Sequence, residues 1–276
     1  MVELQFIGGG RMAGALLAGL LDTGEWSPGD IHVVEVSAQR REELAGLHRG
    51  VGLGEAPVPC DGLVMATKPA VVPTALSAAV AVGARRVLSI AAGVPLAALE
   101  AAVAEGAGDH SGIAVVRAMP NTPALVGEGA SAICVGETGG DDDLGWARGL
   151  LGAVGLVEEV PESLMDAVTG LSGSGPAYLF LVAEAMTEAG RRNGLPADVA
   201  ERLTNQTLLG ASTLLARDER TAEQLRVMVT SPGGTTEAAL AVLGDLGVPE
   251  AIIAAVTEAA RRSAEMAPPG EMAPPA

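Results

Sequence analysis

Aromatic side chains are nearly missing from this 276-residue chain, which holds two Phe, two Trp and one Tyr. Hydrophobic residues still make up 49% of it, so its core is expected to be Ala, Val and Leu in closely packed helices and sheet. Positive charge is equally scarce. A net charge of −17 excludes nucleic acid and anionic membrane surfaces as partners, because both need a basic patch. Lysine occurs once, as Lys68; the other 16 of the 17 basic residues are arginine, so this lone amine stands out. The two cysteines, Cys60 and Cys134, lie in apolar sequence and read as small buried hydrophobes, not as a disulfide or metal pair. No apolar run reaches the length of a membrane span, and no charged-then-apolar leader precedes the first strand. A cytoplasmic protein is expected. Residues 267–276 contain Pro pairs without periodicity and are expected to be a disordered tail.

What is present begins with a short apolar run at residues 4–7, a glycine turn and a helical pattern through residue 20. Gly8-Gly9-Gly10-Arg11-Met12-Ala13 fits a dinucleotide-binding turn. Gly8 allows the tight bend, Gly10 presents no side chain to a pyrophosphate, and Ala13 is small where helix meets strand. The anion would sit on the helix N-terminus.

Residues 31–36 form a second strand, whose end decides the nicotinamide cofactor. Glu35 suits a ribose 2′-hydroxyl and favours NAD, whereas Ser37 and Arg40 suit a 2′-phosphate and favour NADP. Further strands start at residues 62, 86, 113, 130 and 155, with helices between, and imply a doubly wound parallel sheet with its ligand at the strands' carboxyl ends. Ala66-Thr67-Lys68-Pro69 and Ala91-Ala92-Gly93 both stand at such ends. Asn121, stiffened by Pro120 and Pro123, could present a fixed amide to the cofactor.

Strands disappear after Pro161. The expected division is therefore a Rossmann-type domain at 1–160, an all-α domain at 161–266 and the tail. The helices are apolar around more of their circumference than one small bundle can bury, which suggests a subunit interface. Two glycine-rich loops, Leu171-Ser172-Gly173-Ser174-Gly175-Pro176 and Thr230-Ser231-Pro232-Gly233-Gly234-Thr235-Thr236, precede helix starts. Their N–H groups and hydroxyls could hold a small carboxylate.

These motifs, with Arg117-Ala118-Met119-Pro120-Asn121-Thr122-Pro123 and Val168-Thr169-Gly170, resemble pyrroline-5-carboxylate reductase, the last enzyme of proline biosynthesis, in order and spacing over nearly the whole chain. The resemblance implies NADPH as cofactor with NADH also accepted, a cyclic imine substrate, a homodimer through the helical domain, and room for a larger ring of dimers. It assigns the cofactor to Ile7, Gly8, Gly9, Gly10, Arg11, Met12, Ser37, Ala66, Thr67, Lys68, Pro69, Ala91, Ala92 and Gly93. The substrate falls to Ser231, Gly233, Gly234, Thr235, Thr236 and Glu162, with the Thr236 hydroxyl near the ring nitrogen. Two residues depart from the family pattern. Arg11 replaces the commoner Asn or Gln, and Glu35 replaces a small neutral residue.

The last histidine is His110, so the helical half offers no imidazole as general acid. A cyclic imine can arrive already protonated, which leaves positioning as the main task. A hydroxyacid dehydrogenase with a helical-domain lysine is the enzymatic rival, and this chain has no lysine there. A non-catalytic dinucleotide-binding regulator is the other, against which the intact Ser231 to Thr236 loop argues.

Overall fold

The computed structural model describes residues 2–108 and 112–266, so the expected disordered tail at 267–276 lies outside the described residues. The first part alternates strand and helix: β1 (Val2–Ile7), α1 (Arg11–Asp22), β2 (Ile31–Val34), α2 (Ala38–Leu47), β3 (Gly52–Gly54), β4 (Cys60–Met65), α3 (Val72–Val82), β5 (Arg86–Ser89) and α4 (Leu96–Ala107). It continues with β6 (Ala114–Met119), β7 (Gly129–Val135), α5 (Asp141–Gly152), β8 (Gly155–Glu159) and the single turn α6 (Met165–Val168). The eight strands form one sheet in the order β3-β2-β1-β4-β5-β6-β7-β8.

Seven of these strands answer to the apolar runs in the sequence. The exception is β3, whose Gly-Leu-Gly carries no β-branched residue to betray it. The sheet is also not wholly parallel as expected, because β7 runs antiparallel to β6. Its connection is only the tight 3₁₀ turn Thr122–Val126 and its flanks, too short for the crossover that a parallel neighbour requires. The helix α5 then carries the chain across to β8, which returns to parallel pairing with β7.

Alternation along each strand divides the core between two faces. Leu4, Phe6 and Val64 join Leu16, Leu17 and Leu20 of α1, Leu44 of α2 and Leu150 of α5 on one side. Ile7, Leu63 and Met65 join Leu76 of α3 and Leu99 of α4 on the other. Each such side chain contributes roughly 1.5–3 kcal/mol of burial, and aliphatic packing replaces the missing aromatics. A few polar residues sit among them, Gln5 the most consequential for the strands at the site. Gln5 is fully buried, accepts the Val58 N–H at 2.8 Å and donates to Cys60 Sγ at 3.7 Å, which fixes the loop leading into β4.

Two compact units divide the chain, and the seam differs from the composition change at residue 161. The first unit runs through Ser174 and takes up the chain again from Glu258. Met165 explains the extension, because it is 1% exposed within the sheet's second core. Ser263, near the end of α11 (Val248–Met266), likewise donates to Asp166 Oδ1 at 2.6 Å. The segment expected to be an open glycine loop is instead wound. Thr169–Gly173 forms a π turn continuing α6, with Ser172 Oγ donating to the Val168 carbonyl at 3.2 Å. Met119 Cε packs against Gly173, 2.5 Å from where a Cβ would stand.

The second unit, residues 175–257, holds α7 (Gly175–Arg192), α8 (Ala197–Arg217), α9 (Ala222–Met228), α10 (Thr235–Asp245) and the first part of α11. Helices α7 and α8 pack as a hairpin, and Thr221 opens α9 with a capping box closed by Gln224. No single helix among the described residues is long and apolar enough to cross a membrane. Neither α7 nor α10 contains a buried residue. Phe180 is 63% exposed, Leu209 62% and Ile253 65%, an apolar surface larger than an isolated soluble unit tolerates. A second copy is the expected cover. The double variant F180D/L209D should therefore run as a monomer on light scattering where the wild type runs as a dimer or larger; an unchanged mass would place the interface elsewhere.

Candidate active site

The strand order reverses between β1 and β4, and the crevice at their carboxyl ends is where a doubly wound sheet binds its ligand. The chain leaves β1 through Gly8, whose N–H donates to the Val34 carbonyl at 2.8 Å. Gly8 has φ +101°, and a Cβ there would lie 2.7 Å from the Ala66 carbonyl oxygen, so both conformation and space demand glycine. Gly10 caps α1 with no side-chain hydrogen bond, and a Cβ on it would meet nothing within 4 Å. The first N–H groups of α1 thus face an open cleft, a geometry that suits an anion. Ala13 is buried under the turn as its size suggests.

That cleft has a volume of about 480 Å³. Ile7, Gly8, Gly10, Ala66, Thr67 and Lys68 of the expected cofactor set line it. Thr67 Oγ1 is buried there without a hydrogen-bond partner, an acceptor and donor awaiting a ligand group. Lys68 is exposed at the head of the turn Pro69–Val71, while Arg11 is exposed and Met12 half-buried at the start of α1. Ala91, Ala92 and Gly93 follow β5 on the same edge of the sheet, with Gly93 at φ +73°, but do not line this cleft. Val36, Glu55, Pro57 and Val71 also line it, and no local pattern singles them out as ligands. Their signal was faint: Val36 is an apolar residue 81% exposed at a strand end, and Glu55 and Pro57 follow the unrecognised β3.

Charge at the end of β2 is arranged differently from the expectation. Glu35 folds back on the glycine turn, accepting the Gly9 N–H at 3.0 Å and the Ser37 N–H at 2.8 Å. Ser37 Oγ caps α2 by accepting the Arg40 N–H at 3.3 Å. Arg40 Nε donates to the Gly9 carbonyl at 2.7 Å and its Nη1 pairs with Glu43 at 2.8 Å. Both side chains expected to meet a 2′-phosphate are thus engaged within the protein.

Two further expected site residues also have partners within the chain. Asn121 is 8% exposed and its carboxamide staples two loops, donating to the Ser172 carbonyl at 3.0 Å and accepting the Ala130 N–H at 2.8 Å. Glu162 Oε1 accepts from Arg117 Nη1 at 2.8 Å and from the Leu96 N–H at 2.6 Å, so it caps α4 and neutralises a side chain that is 9% exposed.

In the second unit, Gly233 has φ +70° and Gly234 caps α10, so Thr235 and Thr236 occupy its first turn. The Gly234 N–H closes a turn on the Ser231 carbonyl at 3.0 Å, and Glu237 Oε2 accepts the Gly233 N–H at 2.7 Å. Ser231 and Gly233 are exposed, and Thr236 is half-buried. Gathered here are a hydroxyl, two threonines and a helix N-terminus, with no cation among them. Such a loop suits a small carboxylate bound by neutral donors.

The Arg117–Glu162 contact yields a test of its own. Glu162→Ala leaves Arg117 buried without its carboxylate and should lower stability by about 2–3 kcal/mol, seen as a lower urea midpoint at constant m. An unchanged midpoint with a weakened substrate affinity would return Glu162 to the substrate pocket.

Comparison with known proteins agrees with this geometry. Residues 162–266 match the family model described as pyrroline-5-carboxylate reductase dimerisation, and residues 3–93 match NADP oxidoreductase, coenzyme F420-dependent. The pyrroline-5-carboxylate reductase of Synechocystis is 44% identical over 270 residues, covering 96% of this chain and 98% of the relative. That of Methanosarcina acetivorans is 39% identical, covering 96% and 97%. Among solved structures, the pyrroline-5-carboxylate reductase of Coxiella burnetii superposes with a TM-score of 0.85 at 34% identity, covering 97% of this chain and 99% of its own. The Plasmodium falciparum enzyme, solved with NADP bound, superposes with a TM-score of 0.82 at 27% identity, covering 97% and 98%. This chain belongs to the pyrroline-5-carboxylate reductase family.

Proposed function

We propose that the protein reduces the cyclic imine 1-pyrroline-5-carboxylate to L-proline with NAD(P)H, the closing step of proline biosynthesis. The observation that carries the reading is the pairing of two built sites: an uncapped α1 facing an open cleft, and a cation-free carboxylate loop at the start of α10. A reduced nicotinamide supplies a hydride to the C=N carbon of the imine. Everything else falls to this chain's residues. The α1 amides, Gly10 and Thr67 hold the dinucleotide, with Arg11, Met12 and Pro69 beside them and Ala91, Ala92 and Gly93 shaping the reacting end. Ser231, Gly233, Gly234 and Thr235 hold the carboxylate and ring. The Thr236 hydroxyl faces the ring nitrogen.

Hydride addition converts the protonated imine into a secondary amine, so charge on nitrogen is lost as the C–H bond forms and is regained when the product binds a proton. A neutral hydroxyl tolerates both states. A lysine or arginine there would oppose the protonated imine. The sulfurs take no part: burial holds the Cys60 thiol at a pKa of about 11 and the Cys134 thiol at about 12. Two unpaired, buried thiols also support a reducing, cytoplasmic location. The proposal takes a dimer through the helical unit as the assembly from which any larger ring is built, supported by the bare faces of α7 and α10.

Oxidation of NADH and NADPH by the purified protein in the presence of 1-pyrroline-5-carboxylate, with proline as product, tests the activity. Thr236→Ala should lower kcat by roughly a hundredfold while the dissociation constant for the dinucleotide stays unchanged. No loss of rate, or equal losses in both quantities, would remove Thr236 from the reacting centre.

A further inference from the structure

The adenosine end of the cleft carries an anion of its own. Glu35 Oε2 and Oε1 accept the Gly9 and Ser37 N–H groups at 3.0 and 2.8 Å, so the two backbone donors nearest the end of β2 are occupied by a carboxylate. This placement is enforced from both sides. A Cβ on Gly9 would lie 3.4 Å from Glu35 Oε2 and 2.6 Å from Leu44 Cδ1, so the turn and the acid are in contact over a buried leucine. Glu55, also lining the cleft, adds a second carboxylate.

The nearby arginines are engaged within the protein, Arg41 with Glu55 itself, so Glu55 is paired and, of the two acids, only Glu35 lacks an ion-pair partner among the described residues. Arg40 donates through Nε to the Gly9 carbonyl at 2.7 Å and through Nη1 to Glu43, and its Nη2 lies over α1, 3.3 Å from where a Gly14 Cβ would be. Arg41 donates through Nη1 to the Glu35 carbonyl at 2.6 Å and through Nη2 to Glu55 Oε1 at 2.5 Å. Nothing positive among the described residues that line this cleft faces the acid except Lys68, which stands across the crevice after β4.

We infer that Glu35, locked by the Gly9 and Ser37 amides, makes NADH the preferred nicotinamide cofactor of this protein and holds NADPH to weaker binding. The inference rests on the proposed dinucleotide reading of the cleft and adds which dinucleotide it takes. A carboxylate oxygen that accepts one N–H keeps a second lone pair, so Glu35 can accept from ribose 2′- and 3′-hydroxyls without giving up its amides. A 2′-phosphate brings up to two further negative charges to the same place. It must either displace Glu35 from both amides or sit against it, and each route costs affinity.

The test uses ADP-ribose and its 2′-phosphate as probes, because they engage the adenosine end without the nicotinamide or any imine. Isothermal titration of the full-length protein should show ADP-ribose binding at least tenfold tighter than its 2′-phosphate. Glu35→Gln keeps the shape and removes the charge; it should raise affinity for the 2′-phosphate by roughly tenfold, the size of one charge-assisted contact. Arg40→Ala should alter both affinities alike, since that guanidinium serves the turn. Wild-type preference for the 2′-phosphate, or a ratio unmoved by Glu35→Gln, overturns the inference; should Glu35→Gln not fold, the wild-type ratio and Glu55→Gln decide. Failure of both probes to bind at all would instead remove the dinucleotide reading, and the inference with it. Good binding without turnover of 1-pyrroline-5-carboxylate would spare the inference and sink the proposed reaction.

Discussion

The approach of Gly8 to the Ala66 carbonyl is the constraint on which the first unit depends. Because a Cβ could not stand 2.7 Å from that oxygen, β1 and β4 can lie side by side at their carboxyl ends only with glycine at the crossing. Ala66 N–H in turn donates to the Ile7 carbonyl at 2.9 Å, so the pairing persists to the last residue before the turn. From this one crossing follow the direction of α1, the opening of its N-terminus on the cleft and the position of Thr67. The site is therefore a by-product of strand order, and the side chains that line it serve mainly to leave room.

Much of this was legible because glycine, proline and β-branched residues act locally. The turn at Gly8 to Ala13, the strand at Ile31 and the helix start after Gly234 need only their own neighbours to be understood. What escaped was set by distant partners. Asn121 stands out for its stiff proline-flanked loop and Glu162 only through the family resemblance, and their partners Ser172, Ala130, Arg117 and Leu96 lie across long stretches of chain that local sequence does not reveal. From the sequence, Glu35 suits a ribose 2′-hydroxyl. Its grip on the Gly9 and Ser37 amides depends on how β2 is placed beside β1, which composition does not encode.

The seam between the units makes the same point. Composition changes at residue 161, where strands end, and the family match to the dimerisation region starts at 162. Packing changes only after Ser174, because Met165 and the Ser172 carbonyl remain committed to the sheet domain. A short helix with one buried methionine suffices to carry the boundary past the point where the sequence pattern switches.

In the second unit, binding and assembly are joined by the bareness of its helices. The loop Ser231 to Thr236 is presented by α10, a helix with no buried residue of its own, so within one subunit little packing free energy holds the loop's geometry. If, as proposed, a partner subunit covers those helices, it supplies that packing, and by linkage a ligand that needs the ordered loop favours association in return. Affinity for a proline-like carboxylate should then fall as the protein is diluted below its dissociation constant, while affinity for ADP-ribose, whose cleft lies within the sheet unit and its buried core, should not. Titrating both ligands across a dilution series separates the two responses. Parallel loss of both would show that the sheet unit, too, needs its partner; constancy of both would show that α10 is ordered without one.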